Sequence, residues 1–143
     1  MQKSCGKYVQ LQATPADVPM LMVGDARVNV GIFALSILNQ PHLTHDRNVS
    51  GSIESTTAGG LLETFTKATA MPSVYVQTAS LQEYETLWPN WGREMARMMI
   101  FMDEYRGVKA YGGEDYLTKE DLGISTGLVS TYDAFKTMNW SFL

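Results

Sequence analysis

The chain has 143 residues, a length that suits one domain or one piece of a larger one. Its net charge of −4 argues against direct binding of DNA or RNA, which usually needs a basic surface. The single cysteine, Cys5, excludes an internal disulfide. Neither a signal peptide nor an apolar run of membrane length is found, so we expect a cytoplasmic or nuclear protein without a membrane partner.

The first third of the chain predicts a strand, a second extended piece and a long helix. The stretch KYVQLQA, residues 7–13, alternates and is rich in β-forming residues, and MLMVG after it is typical of extended structure. Asp25 is a good N-cap for a helix over residues 26–39, which Pro41 stops. Within that helix, Gly31 is expected to let a neighbouring element approach closely.

Two pairs of glycines raise the question of a phosphate-binding turn. Gly24 and Gly31 do not have the G-x-G-x-x-G spacing of a dinucleotide fingerprint, and no Lys followed by Ser or Thr completes a P-loop. Gly59 and Gly60 lie in the first turn of a predicted helix without a lysine directly after them. Neither pair predicts a nucleotide site.

The helix over residues 26–39 is apolar around almost its whole circumference at 100° per residue. A helix of this kind must be covered on all sides. We therefore expect self-association or a partner surface, with Phe33 and Ile37 in the contact. Its apolar residues are Val28, Val30, Ile32, Phe33, Leu35, Ile37 and Leu38.

The middle of the chain predicts two strands and three helices. The elements are a strand over 48–55, a helix over 57–70 capped by Thr56 or Thr57, a strand over 73–79, and helices over 80–87 and 91–105. Ser80 and Glu83 have the S-x-x-E spacing of a capping box. Pro89 ends the short helix, and Asn90 is expected to cap the next one.

The last of these helices carries a methionine-rich stripe. At 3.6 residues per turn the stripe lies within about 80° of arc. Arg93 and Arg97 fall on the opposite side, whereas Ile100 and Phe101 lie outside the stripe and indicate a pocket or a partner. The stripe consists of Trp91, Met95, Met98, Met102 and Tyr105.

The end of the chain predicts two short helices. Thr118 to Asp121 and Ser130 to Asp133 have the spacing of N-terminal caps. Trp140 and Phe142 are expected to pack onto the rest of the protein.

No set of residues predicts a catalytic or metal site. His42 and His45, with Asp46 beside them, are interpreted as solvated loop residues, because no further ligands complete a zinc site. Tyr132 and Lys136 stand four residues apart on a predicted helix and are interpreted as surface neighbours.

Five stretches, taken in order, carry a resemblance that spans nearly the whole chain. They are GKYVQLQATPADVPMLMVGDARVNVGIF, TTAGGLLETFTKATA, YVQTASLQEYETLWPNWGREM, LTKEDLGI and DAFKTMNW. The Leu-Trp-Pro-x-Trp-Gly run at 87–92, the turn at Gly24 and Asp25, and the Thr-Lys-Glu-Asp-Leu-Gly run at 118–123 are specific when combined. Together they resemble the C-terminal half of the NmrA-like family, its fungal members in particular.

The resemblance implies an α/β fold, namely the C-terminal substrate domain of a Rossmann-type protein related to atypical short-chain dehydrogenases. In that family an N-terminal half binds NAD or NADP, and its glycine fingerprint and catalytic positions would precede this sequence. No cofactor-binding or catalytic residue is therefore assigned, and we expect this chain alone to bind neither NADPH nor NADH. By resemblance, the substrate pocket involves Trp88, Trp91, Met95 and Met98.

Two functions follow from the resemblance. The first is an NAD(P)-dependent oxidoreductase lineage with a small-molecule substrate, present here as a truncated chain that is inactive alone. The second is a non-catalytic, redox-sensing or regulatory module that docks on a partner protein. In a full-length relative, the helix over 26–39 would lie between the two halves.

Overall fold

Strands and helices are interspersed along the computed structural model, which describes residues 2–4, 6–106 and 115–141. The strands are β1 (Gln2–Ser4), β2 (Lys7–Gln12), β3 (Pro19–Met22), β4 (Asn48–Val49), β5 (Glu54–Thr57), β6 (Ser73–Gln77) and β7 (Tyr116–Leu117). The helices are α1 (Ala26–Asn39), α2 (Pro41–Thr44), α3 (Ala58–Thr69), α4 (Leu81–Leu87), α5 (Gly92–Glu104) and α6 (Thr131–Thr137). The mixed α/β class predicted from the sequence is confirmed. Cys5 and Phe142 lie outside the described residues.

The strands form small sheets of two or three members. In the three-stranded sheet, β2 is central, antiparallel to β1 and parallel to β6, with Val9 opposite Val74. A parallel pair needs a long crossover, and the connection from β2 to β6 contains both α1 and α3. The other pairs are β3 with β5, antiparallel, and β4 with β7, parallel.

The predicted single strand over 48–55 is wrong, because this segment supplies two different sheets. The N-terminal end of the segment, β4, pairs with β7, and the Ser50 N–H donates to the Leu117 carbonyl at 2.8 Å. Its second end pairs with β3, where the Ile53 N–H donates to the Met22 carbonyl at 2.8 Å. The residues between change partner, so the strand is interrupted.

Helix α1 has the predicted bounds and the predicted cap. The Asp25 carboxylate accepts a hydrogen bond from the Arg27 N–H at 3.0 Å. The expected close approach at Gly31 is wrong, since a Cβ placed there would meet no atom within 4 Å. The neighbouring elements cover the other side of the helix.

That other side contains Phe33, which is only 4% exposed and packs with Leu117 and Leu122. Ile37 is packed against this core cluster. The expectation that Phe33 and Ile37 form an exposed contact is therefore wrong. The exposed apolar residues of α1 are Val28, Val30, Leu35 and Leu38.

A second group of apolar side chains joins α3 to α6 and the end of the described chain. Phe65 meets the rings of Phe135 and Trp140 edge to face, with centroids 5.8 and 5.1 Å away. The packing predicted for Trp140 is confirmed. So is the cap of α6, where the Ser130 hydroxyl accepts from the Asp133 N–H at 3.1 Å.

The other short helix predicted near the end is wrong, because residues 119–123 form only turns. The cap itself is present: the Asp121 carboxylate accepts from the Thr118 N–H at 2.7 Å. Gly123 then adopts a positive φ of 67°. This left-handed residue ends the segment after a single turn.

Helix α5 approaches α4 closely at its first residue, Gly92. Gly92 and Ala96 are buried, and a Cβ on Gly92 would lie 3.2 Å from the Glu85 Cα. The buried face of α5 contains Gly92, Ala96 and Met99, and the stripe residues Met95 and Met98 are exposed. Half-buried Ile100 lies outside the stripe.

The cap predicted for α5 is wrong. Asn90 is exposed, and Trp91 occupies the N-cap position without a side-chain hydrogen bond. The connection is instead closed by the backbone, since the Gly92 N–H donates to the Trp88 carbonyl at 2.7 Å. At α4, the Ser80 hydroxyl accepts from the Glu83 N–H as predicted, whereas the Glu83 carboxylate reaches the Ala79 N–H.

Candidate functional site

An aromatic cleft of about 520 Å³ lies between strand β2 and the helix pair α4–α5. The connection between the two helices supplies two of its lining residues, Trp88 and Trp91. The cleft is lined by Val9, Gln10, Leu11, Gln12, Tyr84, Trp88, Trp91 and Met95.

Three aromatic rings form one wall of the aromatic cleft. The centroids of Tyr84 and Trp88 are 4.6 Å apart, and those of Trp88 and Trp91 are 5.4 Å apart. Burial decreases along the series, from 3% exposure at Tyr84 to 45% at Trp91. A buried ring thus supports two tryptophans, one half-buried and one exposed, that both line the cleft.

The lining of the aromatic cleft is uncharged. Of its eight residues only Tyr84 has a titratable group, and burial raises the pKa of that phenol above its ordinary value. Tyr84 therefore stays protonated at neutral pH. The lining offers stacking, apolar contact and amide hydrogen bonds from Gln10 and Gln12, but it contains no general base for proton transfer.

Three of the four residues predicted for the substrate pocket come together in this cleft. Trp88, Trp91 and Met95 line it, whereas Met98, which is exposed one turn further along α5, does not. Sequence reasoning missed Tyr84 and the whole β2 wall. The signal within reach was the aromatic cluster itself, because Tyr84, Trp88 and Trp91 fall within eight residues of the chain, at the end of α4 and in its short connection to α5.

The turn at Gly24 does not fit a dinucleotide phosphate. A Cβ on Gly24 would collide with the Val129 carbonyl oxygen, so a neighbouring backbone already fills the space beside the turn. The amides at the start of α1 face their own carboxylate, since Asp25 accepts from the Arg27 N–H. A phosphate bound at these amides would lie close to the negatively charged Asp25 carboxylate and would be repelled by it.

The glycines of α3 are engaged in packing. The Gly59 N–H donates to the Ala16 carbonyl at 2.7 Å, and the Gly60 N–H donates to the Thr57 hydroxyl at 3.0 Å. A Cβ on Gly59 would lie 3.0 Å from the Ala16 Cβ. These glycines allow α3 to approach the loop before β3, and their amides are already used.

The residues that the sequence analysis interpreted as solvated loop residues or surface neighbours lie on the surface. His45 Nδ1 lies 3.0 Å from Asp46 Oδ2, with both side chains exposed, and no metal-binding cluster occurs among the described residues. Lys136 Nζ lies 5.5 Å from the Tyr132 ring centroid on α6. Neither residue lines the aromatic cleft.

Within residues 2–4, 6–106 and 115–141, no helix is both long and apolar enough to cross a membrane. Compared with known proteins, the chain matches no family model, no curated protein and no solved structure. The resemblance to the NmrA-like family thus rests on the motifs quoted above and stays a hypothesis.

Proposed function

We propose that this chain is the ligand-binding part of an NmrA-like protein, in the lineage of NAD(P)-dependent oxidoreductases, and that the aromatic cleft is its binding site. The observation that carries the proposal is the pair Trp88 and Trp91, adjacent in space and open to one uncharged cleft. We place the protein in the cytoplasm or the nucleus.

The cleft favours a planar, apolar and uncharged small molecule. Its volume of about 520 Å³ falls within the range of about 300–1,000 Å³ that is usual for small-molecule sites. Offset or edge-on stacking on an indole contributes about 0.5–1.5 kcal/mol beyond the burial of area. A charged ligand would lose its hydration without gaining an ionic partner from the lining.

In this lineage the nicotinamide cofactor supplies the hydride chemistry, and the protein binds and orients the substrate. The glycine turns at Gly24 and Gly59 do not fit the cofactor's phosphates, so this chain is assigned only the substrate side. We expect calorimetric titration of the chain with NADPH or NADH to give no measurable heat of binding. A micromolar dissociation constant for either would contradict this.

The proposed binding site is tested by two-dimensional ¹H–¹⁵N NMR of the indole N–H groups during titration with 2-naphthol. The chain has three tryptophans, and Trp140 belongs to a separate aromatic group, so it serves as an internal control. We expect the signals of Trp88 and Trp91 to shift while that of Trp140 stays. Uniform shifts, or none, would contradict the proposal.

Two variants on α5 make a matched pair for this titration. Trp91→Ala removes one face of the site and should weaken binding of 2-naphthol by about tenfold, equivalent to about 1.4 kcal/mol. Met98→Ala changes an exposed residue of the same helix that does not line the cleft, and should leave the affinity unchanged.

A second candidate function is a non-catalytic regulatory module that docks on a protein partner. The exposed apolar face of α1 favours it, since Val30, Leu35 and Leu38 are 53%, 60% and 76% exposed. The same face would serve self-association. Sedimentation of the parent and of the Leu35→Glu, Leu38→Lys double variant tests self-association through this face. A parent that is already monomeric at high concentration would exclude it.

A further inference from the structure

Two methionines are exposed on α5, one in the aromatic cleft and one outside it. Met95 and Met98 are 37% and 42% exposed, whereas their neighbour Met99 is 4% exposed. Among the residues that the structure describes, no other methionine is exposed. Met95 lines the cleft and Met98 does not. A reagent dissolved in water thus reaches both side chains, but a chemical change at Met95 alone alters the binding site.

We propose that Met95 is a reversible oxidation site, and that its oxidation lowers the affinity of the aromatic cleft for apolar ligands. The inference rests on the proposed function, because it concerns the regulation of the same site. The oxidant is hydrogen peroxide. The Met95 sulfur forms a bond to one peroxide oxygen, the O–O bond breaks, and the other oxygen leaves as water with both protons. The sulfur loses two electrons, the peroxide gains two, and the thioether becomes a sulfoxide.

The sulfoxide changes the lining because it replaces an apolar contact by a polar one. A thioether packs favourably against aromatic rings. Met95 belongs to the same wall as Trp91: its N–H donates to the Trp91 carbonyl at 3.1 Å, and both residues line the cleft. The sulfoxide oxygen is a hydrogen-bond acceptor that water solvates in the free protein. An apolar ligand would displace that water and offer no donor in its place, so binding becomes weaker.

The modification leaves the packing of α5 in place and is reversible. Buried Met99, together with Gly92 and Ala96, forms the covered face of the helix, and peroxide does not reach it in the folded protein. Methionine sulfoxide reductases restore the thioether at the expense of two thiols, which become a disulfide while the oxygen leaves as water. Met95 thus has the exposure and the chemistry of a switch on the cleft.

The oxidation site is tested by treating the full chain with hydrogen peroxide, followed by digestion with trypsin and mass spectrometry. Cleavage after Arg93 and Arg97 releases Met95 in a peptide without any other methionine. We expect this peptide to gain one oxygen atom well before Met99 does. Treatment of the oxidised chain with the two methionine sulfoxide reductases and dithiothreitol should restore its original mass. Oxidation of Met99 as fast as that of Met95 would overturn the inference.

The effect on binding is tested with Met95→Leu and Met98→Leu as a matched pair. The ligand is 2-methoxynaphthalene, which has the rings of 2-naphthol but no hydroxyl that could donate to the sulfoxide, and the indole N–H signals report its binding. After oxidation, the parent and Met98→Leu should bind about tenfold more weakly than before, whereas Met95→Leu should bind equally before and after. Oxidation of Cys5 is common to all three proteins, so this comparison controls for it.

The outcomes separate the inference from the proposed function. If the parent binds 2-methoxynaphthalene equally well before and after Met95 is oxidised, the inference is overturned and the function stands. The same holds if oxidation weakens binding to Met95→Leu as much as to the parent. Binding of 2-naphthol without binding of 2-methoxynaphthalene also overturns the inference, because the cleft then selects for the hydroxyl. Failure of the unoxidised chain to bind either compound removes both.

Discussion

The side chain of Asn29 bonds both backbone groups of Val129, one hundred residues further along the chain. Its Nδ2 donates to the Val129 carbonyl at 2.8 Å and to the Val23 carbonyl at 2.6 Å, while its Oδ1 accepts from the Val129 N–H at 2.9 Å. Asn29 is fully buried. One amide thus ties the turn before α1 to the segment before α6.

Replacing Asn29 by alanine should lower the free energy of unfolding by about 2–4 kcal/mol, because a fully buried side chain is truncated and the Val23 carbonyl and the Val129 N–H lose their hydrogen bonds to it, while the Val129 carbonyl keeps only the Asp25 N–H. Urea unfolding measures the effect. Asn39→Ala, at an exposed position of the same helix, is the matched control and should change stability by less than about 0.5 kcal/mol. Equal effects of the two variants would contradict the role given to Asn29.

Replacing Gly24 and Gly31 by alanine, one at a time, should change the stability of the protein in opposite directions. Gly24 has a φ of 69°, and a Cβ there would lie 2.7 Å from Asn29 Nδ2, so Gly24→Ala should destabilise by at least about 2 kcal/mol. Gly31 lies inside α1 and faces open space, so Gly31→Ala should stabilise by about 0.5–1 kcal/mol. Thermal unfolding of both variants checks the signs. A Gly31→Ala variant less stable than the parent would show that the position is covered.

The two sides of α1 should respond differently to truncation. Phe33→Ala opens a cavity beside Leu117 and Leu122 and should cost about 3–5 kcal/mol. Leu38→Ala, at a residue that is 76% exposed, should cost less than about 0.5 kcal/mol. Chemical denaturation of the two variants measures both. A large loss of stability in the Leu38→Ala variant would mean that this side of α1 is covered in solution by another copy of the chain.

Stability should fall in acid partly because of Asp25. The hydrogen bond from the Arg27 guanidinium, aided by the Arg27 N–H, holds the pKa of Asp25 below its ordinary value of 3.8. The ionised form is therefore favoured by folding, and this contribution is present above pH 3.8 and lost as the pH falls through the lower pKa of the folded state.

The Asp25→Asn variant isolates this contribution, since asparagine also caps helices well. Its unfolding midpoint should decline less steeply than that of the parent as the pH is lowered below about 4. Glu63→Gln, in an exposed pair with Lys67, is the control and should follow the parent. Parallel curves for all three proteins would show that Asp25 contributes nothing to acid sensitivity.

The sequence alone determined the elements whose signals are local. The bounds of α1 followed from the Asp25 cap and from Pro41, and the start of α4 followed from the Ser80 cap, because caps and prolines act within one turn of the backbone. Trp88, Trp91 and Met95, which the resemblance suggested for a substrate pocket, are close together in sequence, so their proximity in the cleft is likewise local.

Only the tertiary structure decided which face of each helix is buried. Because α1 is apolar all round, periodicity could not distinguish Phe33 from Leu38; the bonds of Asn29 to Val129 fix its rotation. The buried face of α5 likewise contains Gly92, Ala96 and Met99, and the stripe residues Met95 and Met98 are exposed. The β2 wall of the cleft lies about eighty residues before the tryptophans, and pairing over such distances depends on the whole fold rather than on any local pattern.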